Sequence, residues 1–342
     1  MSRTKTRIRI AAFLAVPLAL IPAVSYAGDK THGGTSLGTA NGNRSGNKIT
    51  VETKIQTTVN GGSGGSKTGS LTSTDSNWTP PACWYEPAFS PKEIEADVKT
   101  WRSFTFFGIG SVVGDMLDLY YKDGHPYKDY NLDKQGEGMF WAAVVNPNRK
   151  DDPEASACDK MPFWVDNGKT PSEPLAVNAK VLAEYAYDEL PIPETKVNMA
   201  PAGTSTVNLP TWIWLDKADF HKVSVTASLP GTGLSATTTA EPVSLHIDPG
   251  TSDAETFPAS GDCTFTGGSI GEPYAKGKAN QTPPCGVRYL RSTGANGSYA
   301  LKATVTWKIT WTSTTGEGDR LPDGTFGATQ NVTVREIQSV NR

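Results

Sequence analysis

The sequence predicts a mainly β protein with a smaller α/β part: a C-terminal immunoglobulin-like antiparallel β-sandwich preceded by a small disulfide-stapled α+β module. Three observations predict it. LKATVTWKITWT at 301–312 alternates without a break, placing Ala303, Val305, Trp307, Ile309 and Trp311 on one face and Thr304, Thr306, Lys308, Thr310 and Thr312 on the other. That is the period of a strand with one face in a core and one in water. Further short β-rich runs at 207–215, 221–228, 236–247, 288–290 and 328–337 recur between Gly, Pro, Asp and Asn turns, as in a two-sheet sandwich. Helical periodicity, in contrast, is confined to the residues before about 191.

In chain order, residues 1–27 read as a signal peptide. Arg3, Lys5, Arg7 and Arg9 form a basic region, 10–24 is apolar but broken by Pro17 and Pro22, and Ser25-Tyr26-Ala27 supplies small residues for cleavage after Ala27. The apolar run is too short for a membrane span, and no later stretch approaches the ~18 apolar residues a span needs. A secreted chain with no membrane span is therefore expected. Losing four positive charges takes the formal net charge from −3 to −7, which argues against nucleic acid as a partner. With no LPxTG-type signal or apolar C-terminal tail, wall attachment would be non-covalent.

Residues 28–76 are rich in Gly, Ser, Thr and Asn and lack aromatics, the composition of a flexible leader that buries too little to offset its ordering entropy. The exception is KITVETKIQTTV at 48–59, whose alternation suits a strand if a sheet edge is offered.

The α+β module spans 77–191. Ser90 reads as an N-cap and Pro91 as the first helical residue, with Ile94, Val98 and Trp101 at helical spacing. A second helix is predicted over 172–190, where Leu175, Ala179, Leu182, Ala186 and Leu190 recur before Pro191 and Pro193 stop it. A short helix at 115–121 and aromatic pieces at 140–145 and 162–165 lie between them. The sandwich occupies 192–342. In its NLPTWIWLD stretch, 208–216, Trp212 and Trp214 share one strand face and Ile213 and Leu215 the other. Both faces are apolar, so a second covering layer is expected, and the 172–190 helix is the candidate.

The four cysteines allow three pairings. Cys83 with Cys158 and Cys263 with Cys285 keeps each bond inside one module. No metal is expected, because none of His32, His125, His221 and His246 lies within three positions of a cysteine.

Catalytic motifs weaken on inspection, and no cofactor is expected. GGSGGSKT at 61–68 carries Ser66 where a phosphate-binding loop needs glycine, and GIGSVVG at 108–114 departs from the dinucleotide spacing by one residue. GGSIG at 267–271 lacks the strand and helix of a nucleophile elbow, although Ser269, His221 or His246, and Asp262 would be its partners. Asp129, Asn131 and Asp133 imitate a calcium loop, but Lys134 replaces the required glycine and Phe140 the closing Glu. The segment 120–141 concentrates aromatics and acids, a composition suited to stacking on sugars, and Tyr127, Asp129, Tyr130, Asp133 and Trp141 are its candidate ligand-binding residues.

TPPACWYEP at 79–87, GHPYKDYNLDKQGEG at 124–138, VNLPTWIWL at 207–215, and CGVRY at 285–289 with ATVTWKITW at 303–311 together resemble a family of uncharacterised secreted actinobacterial proteins common in Streptomyces. Members carry automatic names such as nucleotide-binding protein or enoyl reductase. The resemblance implies export and a cell-envelope setting and maps no catalytic residue. The function expected is that of a secreted, non-catalytic protein binding an envelope component, such as a cell-wall polymer, or another exported protein. The alternative is an extracellular hydrolase acting on glycan or cell-wall polymer through the acids of 120–141.

Overall fold

The computed structural model describes residues 43–45, 48–60, 69–103, 109–169, 171–215, 220–278, 281–295 and 297–337. The predicted signal peptide and the 61–68 glycine-rich motif lie outside them. The N-terminal half contains β1 (Asn43–Ser45), β2 (Lys48–Val51), β3 (Gln56–Asn60), β4 (Thr72–Ser73), β5 (Cys83–Phe89), α1 (Pro91–Ser103), α2 (Ile109–Tyr121), β6 (Gly138–Val145), β7 (Phe163–Asp166) and α3 (Ala179–Asp188). The C-terminal half contains β8 (Asn198–Ala200), β9 (Thr204–Thr206), β10 (Pro210–Trp214), β11 (Val223–Leu229), β12 (Leu234–Asp248), β13 (Ala254–Phe257), β14 (Asp262–Thr264), β15 (Gly286–Tyr289), β16 (Tyr299–Ser313) and β17 (Gly318–Arg335). The protein is mainly β and its sheets are dominated by antiparallel pairing. No helix among the described residues is long and apolar enough to cross a membrane.

The central element is an eight-stranded sheet ordered β3-β11-β12-β16-β17-β4, with β14 added to β12 and β9 running parallel to β17. Its alternation is the one read from 301–312: Ala303, Val305, Trp307 and Ile309 are fully buried, while Lys308, Thr310 and Thr312 are exposed. Two different layers cover the buried face. Near Thr238 the cover is α3, whose Ala183 carbonyl accepts the Thr238 hydroxyl at 2.7 Å. Farther along, the cover is a four-stranded sheet ordered β13-β15-β10-β8. The Cys263–Cys285 disulfide joins β14 to the residue before β15, and Tyr289 of β15 stacks on Tyr299 of β16 with ring centroids 5.3 Å apart.

The third sheet has the order β1-β2-β6-β5, with β7 on the far side of β6. Ser90 and Glu93 form a reciprocal capping box at the start of α1, the Glu93 carboxylate accepting the Ser90 N–H at 2.7 Å. Ile94 and Val98 point inward and are fully buried. The Cys83–Cys158 disulfide fastens β5 to the loop before β7. Both cysteine pairings are those that kept each bond inside one predicted module.

The sequence and the structure part company at three places. The helix predicted over 172–190 begins only at Ala179, where the Asn178 side chain caps the Val181 N–H at 2.9 Å. Residues 175–177 instead lie beside β5, with the Tyr85 N–H donating to Leu175 and the Val177 N–H donating to the Tyr85 carbonyl. The apolar step from Leu175 to Ala179 only imitated a helical turn.

The second difference lies in the expected leader. Lys48–Val51 pairs in parallel with β6, and Gln56–Asn60 pairs antiparallel with β11. The segment 48–60 therefore ties two sheets together, as its alternation allowed. At the bend between the strands, buried Glu86 accepts hydrogen bonds from the Lys54 N–H at 2.5 Å, the Thr53 hydroxyl at 3.1 Å and the Trp84 indole N–H at 2.9 Å. The boundary expected at 191–192 falls between buried Leu190 and Ile192, which belong to one continuous core of the described residues.

The third concerns NLPTWIWLD. Ile213 and Leu215 face the core as one expected layer requires. The face bearing Trp212 is not covered by the 172–190 segment, since α3 packs on β11, β12 and β16. The disulfide-closed loop covers it: Tyr274 meets the Trp212 ring edge-on at 6.0 Å and Lys278 sits 5.2 Å from its centroid. A loop of Gly and Pro carries no apolar period, and its ends are joined by the Cys263–Cys285 disulfide.

Candidate functional site

Segment 120–141 packs as a fastening, with its candidate residues pointing in different directions. Tyr127 lies half-buried among Tyr120, Tyr121 and Phe140, and its hydroxyl accepts the Trp164 N–H at 2.9 Å. Burial raises the Tyr127 hydroxyl above its ordinary value, and that of Tyr120 up to about 12. Tyr130 is buried, with its hydroxyl 3.3 Å from the Asp118 carboxylate. Asp129 and Asp133 are exposed. Trp141 follows Phe140 in β6 and so faces the other way, packing on the cluster of Cys83, Tyr85, Ala143 and Cys158. The structure thus brings Tyr127 and Tyr130 toward α2 and separates Trp141 from them.

Asp129, Tyr130 and Asn131 have φ of 44°, 57° and 54° in succession. Three left-handed non-glycine residues in a row are costly unless the surroundings impose them. The middle residue of the three, Tyr130, is buried. Among the described residues no group of three or more His, Cys, Asp or Glu side chains stands together. Two of the candidate hydrolase partners meet. His246 Nδ1 and Asp262 pair at 2.8 Å, but the Ser269 hydroxyl donates to the Thr266 carbonyl of its own turn.

A different surface emerges from the register of the large sheet. Across its outer face, Thr58, Thr226, Thr237 and Thr312 stand opposite one another on β3, β11, β12 and β16. The next row is Asn60, Ser224, Thr239, Thr310 and Arg320, and on the other side of the first lie Gln56, Ser228 and Ser235. These side chains are exposed or half-exposed. Neighbouring strands are about 4.8 Å apart and same-face residues along a strand about 6.8 Å apart. The hydroxyls therefore form a two-dimensional grid. Some are linked within it: Thr226 and Thr237 oxygens lie 2.8 Å apart, and Asn60 donates to Thr226 at 3.2 Å.

Beside this grid β12 exchanges one partner for another. Up to Ala240 its edge pairs with β11, and from Ser244 it pairs with β14, with a register shift between Pro242 and Ser244. Pro242 has no N–H to give a ladder, and an irregularity at a strand proline is the expected accommodation. The exchange leaves a cleft of about 480 Å³ lined by Phe220, His221 and Lys222 on one side, Glu241, Pro242 and Val243 at its base, and Phe265 and Gly268 beyond. Phe220 is buried and stacks on Trp307 at 6.3 Å. Alternation at 301–312 already showed one side of the hydroxyl grid in the sequence. The cleft had a weaker signal, a proline inside a predicted strand, which marks a bulge or an edge. Comparisons with protein-family models, with curated proteins and with solved structures give no match to this chain.

Proposed function

We propose that the protein is an exported, non-catalytic binding protein that holds a cell-wall glycan against the outer face of its large sheet. The observation that carries this reading is the grid of Thr, Ser, Asn and Gln side chains ordered by the β3-β11-β12-β16 register. A hydroxyl both donates and accepts, so a grid of them complements a polymer whose own surface is a repeat of hydroxyls. The grid is extended and shallow, which suits a chain lying across it more than a monomer enclosed within it. Export is supported by the basic and apolar character of 1–27 and by two disulfides, which persist in oxidising compartments.

The test is co-sedimentation of the purified mature protein with insoluble cell-wall polysaccharide, with released reducing sugar measured in the same tubes. Saturable binding without sugar release is the expected result. Sugar release would favour the hydrolase reading, and protein remaining wholly in the supernatant would remove the binding reading.

A further inference from the structure

The cleft at Pro242 combines three properties that the flat grid lacks: concavity, apolar walls and opposite charges. Its volume falls within the range of small-molecule sites. Phe220 and Phe265 supply aromatic surface from two elements, and stacking on Trp307 holds Phe220 in place from beneath. Lys222 and Glu241 bring a cation and an anion to the same cleft. Among the described residues neither makes an ion pair with the other or with any third group. Glu241 also stands opposite Lys308 in the ladder, so the base of the cleft has a second cation nearby.

We infer that this cleft binds a small zwitterion with an apolar body, such as a free α-amino acid. Glu241 accepts hydrogen bonds from the ligand's ammonium group, Lys222 donates to its carboxylate, and the apolar body lies between Phe220 and Phe265. Charges that a structure leaves unpaired in a concave wall are matched best by a ligand that carries both signs at short separation. A purely apolar ligand would leave both charges unmatched. The inference rests on the cleft alone and stands whether or not the sheet face holds a polymer.

Calorimetric titration of the full mature protein with L-phenylalanine, N-acetyl-L-phenylalanine and L-phenylalaninamide tests it. The first has both charges, the second lacks the ammonium and the third lacks the carboxylate. Phenylalanine is expected to bind saturably, and each analogue roughly tenfold more weakly, the usual worth of one hydrogen bond to a charged group. Glu241→Gln should lose the preference over the N-acetyl compound and Lys222→Met the preference over the amide. Both side chains are exposed, so unchanged melting temperatures will show that the variants fold. Equal binding of all three compounds, preferences that survive both substitutions, or no saturable binding of phenylalanine would each overturn the assignment.

Discussion

Thr238 and Ala183 are both fully buried, and the hydroxyl of the first donates to the backbone carbonyl of the second at 2.7 Å. This bond links the middle of β12 to α3 and so couples the N-terminal half of the chain to the large sheet. Thr238→Val keeps the shape and removes the donor. It is expected to lower unfolding free energy by about 1 kcal/mol, the net worth of one such bond, measured by urea denaturation. An unchanged midpoint would mean that α3 is held by apolar packing alone.

Glu86 gives the fold a pH dependence whose sign is fixed by its burial. Desolvation raises its carboxyl above the ordinary value, against the hydrogen bonds from Trp84, Lys54 and Thr53 that pull it down. A carboxyl with a raised folded value contributes full stability below its unfolded pKa, and that contribution is lost as pH rises through the folded value. Glu86→Gln cannot ionise. Between pH 4 and pH 7 the wild type should therefore lose stability relative to the variant, read as a change in the difference between their urea midpoints. Other carboxyls, including Asp97, which burial and then Glu93 raise to about 6, cancel in that difference. A difference moving the other way would show the three donors outweighing burial.

Removing the Cys263–Cys285 disulfide by Cys263→Ala with Cys285→Ala should cost roughly 3 kcal/mol, as expected for freeing a loop of this size in the unfolded chain. It should also loosen the cover over Trp212. Acrylamide quenching of tryptophan fluorescence in the folded variant should rise, and the rise should vanish when Trp212→Phe is added. Quenching that stays at the wild-type level would show that Tyr274 and Lys278 hold the loop without the disulfide.

The parts legible in the sequence were those set by local periodicity and chemistry. The alternation of 301–312, the N-cap at Ser90, and both cysteine pairings needed only neighbours or module membership. The start of α3 and the cover over Trp212 depended on contacts distant in sequence: Tyr85 captures 175–177 into the neighbouring sheet, and Tyr274 and Lys278 reach Trp212 from a loop without apolar period. Of the candidate site, the 120–141 aromatics were visible as residue types. Their strand parity, Phe140 inward to Tyr127 and Trp141 away, follows only when β6 is placed. The hydroxyl grid needed the register of four strands, one of them from the expected leader.

The central claim is that the outer face of the large sheet is the binding surface. Thr237→Lys with Thr310→Lys places two long charged side chains in adjacent rows of the grid, at half-exposed and exposed positions where folding should survive. Co-sedimentation with insoluble cell-wall polysaccharide, run for wild type and variant at equal melting temperature, is the most direct measurement. At least a tenfold loss of affinity in the variant, set against saturable wild-type binding, is the result this account expects. Wild-type affinity retained by the variant would contradict it.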